Sequence, residues 1–131
     1  MNVRTRCLAL ALMNLIMGGA CAADSAADIA AGKVAFAACA SCHQVGPQAR
    51  GGFGPQLNGI LGRKAGSSPD YKYSAAMANS KLVWTEASLT AFILDPGKTV
   101  PGTKMRFFSL GYDEKRIAQL IAYLRTQPPA N

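Results

Sequence analysis

Apolar residues recur along this chain at helical spacing. Near the C-terminus Ile117, Leu120, Ile121 and Leu124 follow the i, i+3, i+4, i+7 rule that lines one face of a helix. Asp113 begins that element and Pro128-Pro129 closes it. Leu89, Phe92 and Ile93 give the same face over a shorter stretch, with Thr85 as N-cap, Glu86 in the first turn and Pro96 as the breaker. Ser74 predicts an N-cap for a short helix through Asn79. An Ala-rich run from Asp24 to Ala38, interrupted by Ile29, Lys33, Val34 and Phe36, reads as a helix, and Asp28 suits its N-terminal turn. Phe36 is assigned to the core. A short helix is expected over Leu57 to Leu61, ended by Gly62-Arg63-Lys64, and Leu82-Val83-Trp84 reads as extended. Residues 44–54 and 65–73 are loops, the first marked by Gly46, Pro47, Gly51, Gly52 and Gly54. No βαβ pattern occurs, and the predicted class is all-α.

One apolar run does not belong to this scheme. Cys7 to Met17 is almost wholly apolar, Arg4 and Arg6 precede it, and small residues follow. That order is the charged region, apolar region and small-residue site of a secretory signal peptide. Ala20-Cys21-Ala22 fits an A-x-A cleavage site, which divides the chain into a removed segment at 1–22 and one domain at 23–131. A transmembrane anchor is the alternative, but the uncharged span is short of the ~20 apolar residues that a crossing helix needs. A lipoprotein acylated at Cys21 would prefer Leu three residues earlier, where Gly18 stands.

The densest chemistry lies in Cys39-Ala40-Ser41-Cys42-His43. Two thiols a short turn apart can reach the two vinyl groups on one edge of a haem, and the imidazole after the second is then placed beneath the iron. This is the c-type haem attachment pattern. His43 is the chain's one histidine, so no other imidazole competes for the iron. A bare C-x-x-C is also compatible with a thioredoxin-like redox pair, a disulfide or half a zinc site. Zinc would want a second Cys/His pair downstream, and a thioredoxin-like pair a βαβ context; neither is present. Export sharpens the argument, since an oxidising compartment threatens free thiols. Cys7 and Cys21 leave with the signal, and thioether links would account for Cys39 and Cys42.

About a hundred residues remain after cleavage, which is marginal for an unaided core. A buried haem would supply a large apolar body to wrap. The formal charge is +7 over 131 residues, and loss of Arg4 and Arg6 leaves 12 Lys and Arg against 7 Asp and Glu, a balance of +5. Outside the cytoplasm such a protein meets acidic protein surfaces or anionic lipid more readily than nucleic acid.

With Gly54-Pro55-Gln56-Leu57-Asn58-Gly59 following His43, and Pro101-Gly102-Thr103-Lys104-Met105 some sixty residues on, the chain resembles small soluble class I c-type cytochromes of the mitochondrial-like bacterial branch. The resemblance covers nearly the entire mature chain. It implies the class I cytochrome c fold, with N- and C-terminal helices crossing and three to five helices joined by long loops around one haem. It implies covalent haem c on Cys39 and Cys42, with His43 and Met105 as axial ligands. Pro55 would offer its carbonyl to the histidine, fixing the tautomer and strengthening the other nitrogen as a ligand. Arg63, Tyr73, Trp84 and Thr103 would hold the propionate edge, Arg through a fork of charge-assisted donors. Phe107 matches an aromatic that covers the haem edge. Phe92 departs from the pattern, since many relatives carry Tyr there.

The function implied is that of a periplasmic one-electron carrier and not an enzyme. His/Met ligation raises the potential and fills the sixth site. Lys98 and Lys104, with Lys33 more weakly placed, would ring the exposed haem edge and steer docking to acidic patches. Gly51, Gly52 and Gly97 stand where many relatives have lysines. Partners implied are a membrane cytochrome bc-type complex upstream, and a terminal oxidase, peroxidase, photosynthetic centre or periplasmic dehydrogenase. The protein is read as a monomer without nucleic acid or a stable membrane span. The competing reading is an open-iron haem protein with peroxidatic or gas-sensing activity; a haem-free secreted domain is the other.

Overall fold

The computed structural model describes residues 23–129. The segment read as a signal peptide, with Cys7 and Cys21, lies outside the described residues. Among the described residues five helices follow one another: α1 (Ala26–Phe36), α2 (Ala75–Ala78), α3 (Glu86–Leu94), α4 (Pro96–Thr99) and α5 (Glu114–Arg125). Each N-cap has a local cause. Ser25, Ser74, Thr85, Asp95 and Asp113 each accept a backbone N–H of the first turn on their side-chain oxygen, removing one of the donors a helix start leaves unpaired. The caps expected at Ser74, Thr85 and Asp113 are all present.

The core forms where α1 and α5 meet, with α3 packed beside α5 and α4. Ile117, Leu120, Ile121 and Leu124 are buried, as are Leu89, Phe92 and Ile93, so both periodic faces point inward. Phe36 is buried and its ring lies 5.6 Å from that of Tyr123. At the crossing of α1 and α5, Gly32 is essential for want of room. A Cβ there would stand 1.9 Å from the Gln119 carbonyl oxygen and 2.8 Å from Tyr123 Cβ. Gly32→Ala is therefore expected to force the helices apart and cost about 3 kcal/mol, at the upper end of ordinary overpacking because the obstacle is backbone. Denaturant unfolding against the wild type checks it.

The long stretch between α1 and α2 is irregular. Its edge is held by an antiparallel bridge between Lys64 and Val83, with Trp84 N–H donating to Arg63 O at 2.9 Å and Ala65 N–H to Leu82 O at 2.8 Å. This is the extended segment expected at Leu82-Val83-Trp84. The helix expected over Leu57 to Leu61 does not form. Gly59, in its middle, takes a positive φ of +53°, which breaks a right-handed helix, while Gly62 at +79° ends the turn as expected. Side chains supply the missing bonds. Buried Asn58 accepts from Gly46 N–H and donates to Gly46 O, both at 2.8 Å, while its own N–H donates to Gln56 Oε1 at 2.7 Å. Pro96 ends α3 as expected but also opens α4, since its fixed φ suits a first helical position.

Candidate haem-binding site

The Cys-Ala-Ser-Cys-His segment is a direct continuation of α1. Cys39 and Ala40 N–H both donate to Phe36 O, at 2.8 and 3.0 Å, and His43 N–H donates to Cys39 O at 2.9 Å. The helix thus winds down into a tight turn that carries both sulfurs and the imidazole. Cys39 is half-buried, Cys42 is exposed, and the two are not joined in a disulfide. Burial, with a smaller push from Cys42, raises the Cys39 pKa to about 11.

His43 sets its Nδ1 2.8 Å from the Pro55 carbonyl oxygen. A carbonyl only accepts, so Nδ1 carries the proton and Nε2 keeps its lone pair. Burial lowers the imidazole pKa, against an opposing pull from the Pro55 carbonyl, and so favours the neutral, ligand-competent ring. Gly54 lies against the same ring: a Cβ there would come within 2.5 Å of His43 Cε1. Gly54 N–H also donates to Cys42 O at 2.8 Å, closing the loop onto the motif. The ring is thus held by a bond at one nitrogen and by bare backbone at its edge.

Arg63 donates from Nη1 to Asn58 O at 3.0 Å and from Nη2 to Gln56 O at 2.8 Å. It is half-buried, and burial pulls its pKa down while Tyr73 and Asp70 pull it up. The ion pairs among the described residues belong to Arg125 instead, with Asp24 and Glu86. Arg63 is thus a sheltered cation with carbonyls around it and no carboxylate in contact. Tyr73 is half-buried, edge-on to Tyr71 at 4.8 Å, and Tyr71 Oη donates to Phe53 O at 3.1 Å. Trp84 is buried with its ring 5.0 Å from that of Phe92. Ser68, in the loop between Arg63 and Tyr73, has a buried hydroxyl without a partner among the described residues.

Gly102, at φ +89°, turns the loop that carries Met105. Thr103 is buried, and its Oγ1 accepts Met105 N–H at 3.3 Å. Thr103 therefore braces the methionine directly, a role the sequence did not indicate. Met105, Tyr73 and Cys39 all border the hydrophobic cluster that contains Met77, Trp84 and Phe92. Arg63 and Thr103 bond to separate partners and not to each other. Phe107 lies edge-on to Tyr112, with centroids 5.1 Å apart. Lys33, Lys98 and Lys104 are exposed, and Lys104 Nζ donates to Lys72 O at 3.3 Å. Asn58, Gln56 and Tyr112 are the structural residues that sequence reasoning missed. Asn58-Gly59, a dipeptide typical of turns, was the available signal for the first.

Two unpaired thiols on one turn, an imidazole with one nitrogen engaged, a thioether and a sheltered guanidinium without a carboxylate suit a haem with acidic side arms. On an all-α frame these donors define a class I c-type cytochrome. The comparisons agree. The family model described as Cytochrome c matches residues 29–128, and the chain belongs to that family. The chain is 42% identical over 122 residues to cytochrome c2 of Rhodomicrobium vannielii, covering 93% of this chain and 97% of that one. It is 46% identical over 100 residues to cytochrome c2 of Agrobacterium tumefaciens, covering 74% and 89%. Among solved structures, cytochrome cH from Methylobacterium extorquens superposes with a TM-score of 0.69 at 44% identity, over 76% of this chain and 98% of that one. As a member of this family the chain is an electron-transfer protein with one covalently attached haem c, and not an enzyme.

Proposed function

We propose that Cys39 and Cys42 attach the haem as thioethers and that His43 Nε2 and Met105 Sδ take the two axial positions. The bound haem supplies a one-electron ferrous/ferric couple. The observation that carries the reading is the 2.8 Å contact between His43 Nδ1 and the Pro55 carbonyl, which leaves only Nε2 to bind metal. Met105 would contribute a soft, neutral sulfur that favours the reduced state and fills the position at which a gas or peroxide would enter. Arg63, Tyr73, Trp84 and Thr103 would face the propionates, with Arg63 providing the charge. Fixed ligands on a packed frame limit rearrangement as the electron comes and goes. Lys98 and Lys104 would steer acidic partners to the edge of the site. The interface would be small and short-lived, as suits rapid turnover.

The carrier would work in the periplasm as residues 23–131, after removal of 1–22. The charged, apolar and small-residue order of the leader supports this. No helix among the described residues is long and apolar enough to cross a membrane. Partners would be a cytochrome bc-type complex on the donor side, and an oxidase, peroxidase, photosynthetic centre or dehydrogenase elsewhere in the chain of transfers.

Mass spectrometry of protein exported by cells able to mature c-type cytochromes tests the proposal. The expected mass is that of the chain from Ala23 plus one haem, retained through acid-acetone extraction and mapped to the peptide holding Cys39 and Cys42. A colourless product with both thiols free or paired would overturn it. Rapid carbon monoxide binding to the reduced protein would instead favour the open-iron reading.

A further inference from the structure

Tyr112 is a buried, titratable side chain that the proposed function does not use. It lies in the loop between Met105 and α5, and its Oη donates to the Ala35 carbonyl, 77 residues away in sequence. That carbonyl is one of those left over where α1 ends. The backbone donors that follow go elsewhere: Ala37 N–H to Val34 O, and Cys39 and Ala40 N–H to Phe36 O. Tyr112 therefore satisfies a helix-end acceptor that would otherwise be buried and bare. Its ring meets Phe107 edge-on at 5.1 Å and 83°, two residues after Met105. Arg116 covers the outer face, its guanidinium 4.8 Å from the ring centroid.

We infer that Tyr112 is a positioning residue that ties the Met105 loop to the helix exit bearing Cys39, Cys42 and His43. One side chain joins the segment that holds Met105 to the segment that holds Cys39, Cys42 and His43. Its phenol grips the end of α1, four residues before Cys39, and its ring backs the aromatic that follows Met105. When Met105 leaves the iron, the loop must move relative to α1, and the tie resists that motion. The inference rests on Met105 being a ligand, as proposed above.

The test uses the mature, haem-bearing ferric protein and imidazole as an external ligand that competes with Met105. Tyr112→Phe keeps the ring and removes only the phenolic bond. Imidazole is expected to bind about tenfold more tightly to this variant, the factor that corresponds to losing one hydrogen bond of about 1.4 kcal/mol from the closed state. Ile121→Val trims the same α5 core without touching the tie, and should lower overall stability while leaving imidazole affinity within about twofold. Equal affinity in Tyr112→Phe and wild type, or an equal rise in Ile121→Val, would overturn the inference. If Tyr112→Phe does not accumulate, native-state hydrogen exchange of the wild type decides. One shared opening free energy for the amides of Cys39, His43 and Met105 supports the tie; separate values refute it. A wild-type ferric spectrum without a sulfur-to-iron band would remove Met105 as ligand, while the exchange measurement would still judge the tie.

Discussion

His43→Ala is expected to yield an exported chain that scarcely holds haem. Coloured protein should fall by more than about a hundredfold, because loss of a mere hydrogen-bond partner of a metal-bound histidine already costs about 10–100-fold. No second imidazole exists to replace it. The structure adds a reason beyond the lost nitrogen. Gly54 and Pro55 converge on this ring, one by contact and one by a 2.8 Å bond, so alanine also leaves the 44–55 loop without the side chain it closes upon. Haem staining and pyridine haemochrome spectra of periplasmic extracts check the outcome. Normal yield of haem-bearing His43→Ala would remove His43 from its assigned role. Gly54→Ala should act in the same direction, more weakly, by displacing the ring.

Met105→Ala separates attachment from ligation. The variant should keep covalent haem, lose the weak long-wavelength sulfur-to-iron band of the ferric form, and bind carbon monoxide quickly once reduced. Its midpoint potential should fall by on the order of 0.1–0.3 V, a fraction of the roughly 0.8 V that axial ligands span. Thr103 bonds the Met105 backbone and not its sulfur, so truncating the side chain opens the iron without dissolving the loop. Phe92 makes this experiment informative. It is buried against Trp84 and, being phenylalanine, has no hydroxyl, so it would add no hydrogen bond to a methionine ligand. An unchanged ferric spectrum in Met105→Ala would refute the assignment.

Much of the frame was legible because the helical signals are local. The α5 face follows from Ile117, Leu120, Ile121 and Leu124, and the cap at Asp113 from one residue. The C-x-x-C-H motif is equally local, since both thiols and the imidazole fit within one turn. What failed was local in appearance but decided elsewhere. Leu57 to Leu61 has apolar residues enough for a helix, yet Gly59 adopts positive φ and Asn58 bonds back to Gly46. Tyr112 gave no signal at all, because its partner is a carbonyl 77 residues upstream. Pro96 was read only as a breaker, although Asp95 before it supplies the cap that lets a proline start a helix. Arg63 illustrates a middle case. Its half-burial among carbonyls could not be read from sequence, and it was the resemblance that directed attention to it.

The approach of α1 to α5 at Gly32 has a wider consequence. The two helices are stopped by main chain meeting main chain, with the Gln119 carbonyl where a methyl would sit. Their spacing is thus gauged by peptide units, whose dimensions never vary, and not by whichever side chains happen to fill the gap. Resizing a neighbouring core side chain therefore leaves this contact where it is, because the atoms nearest to Gly32 are main-chain atoms of Gln119.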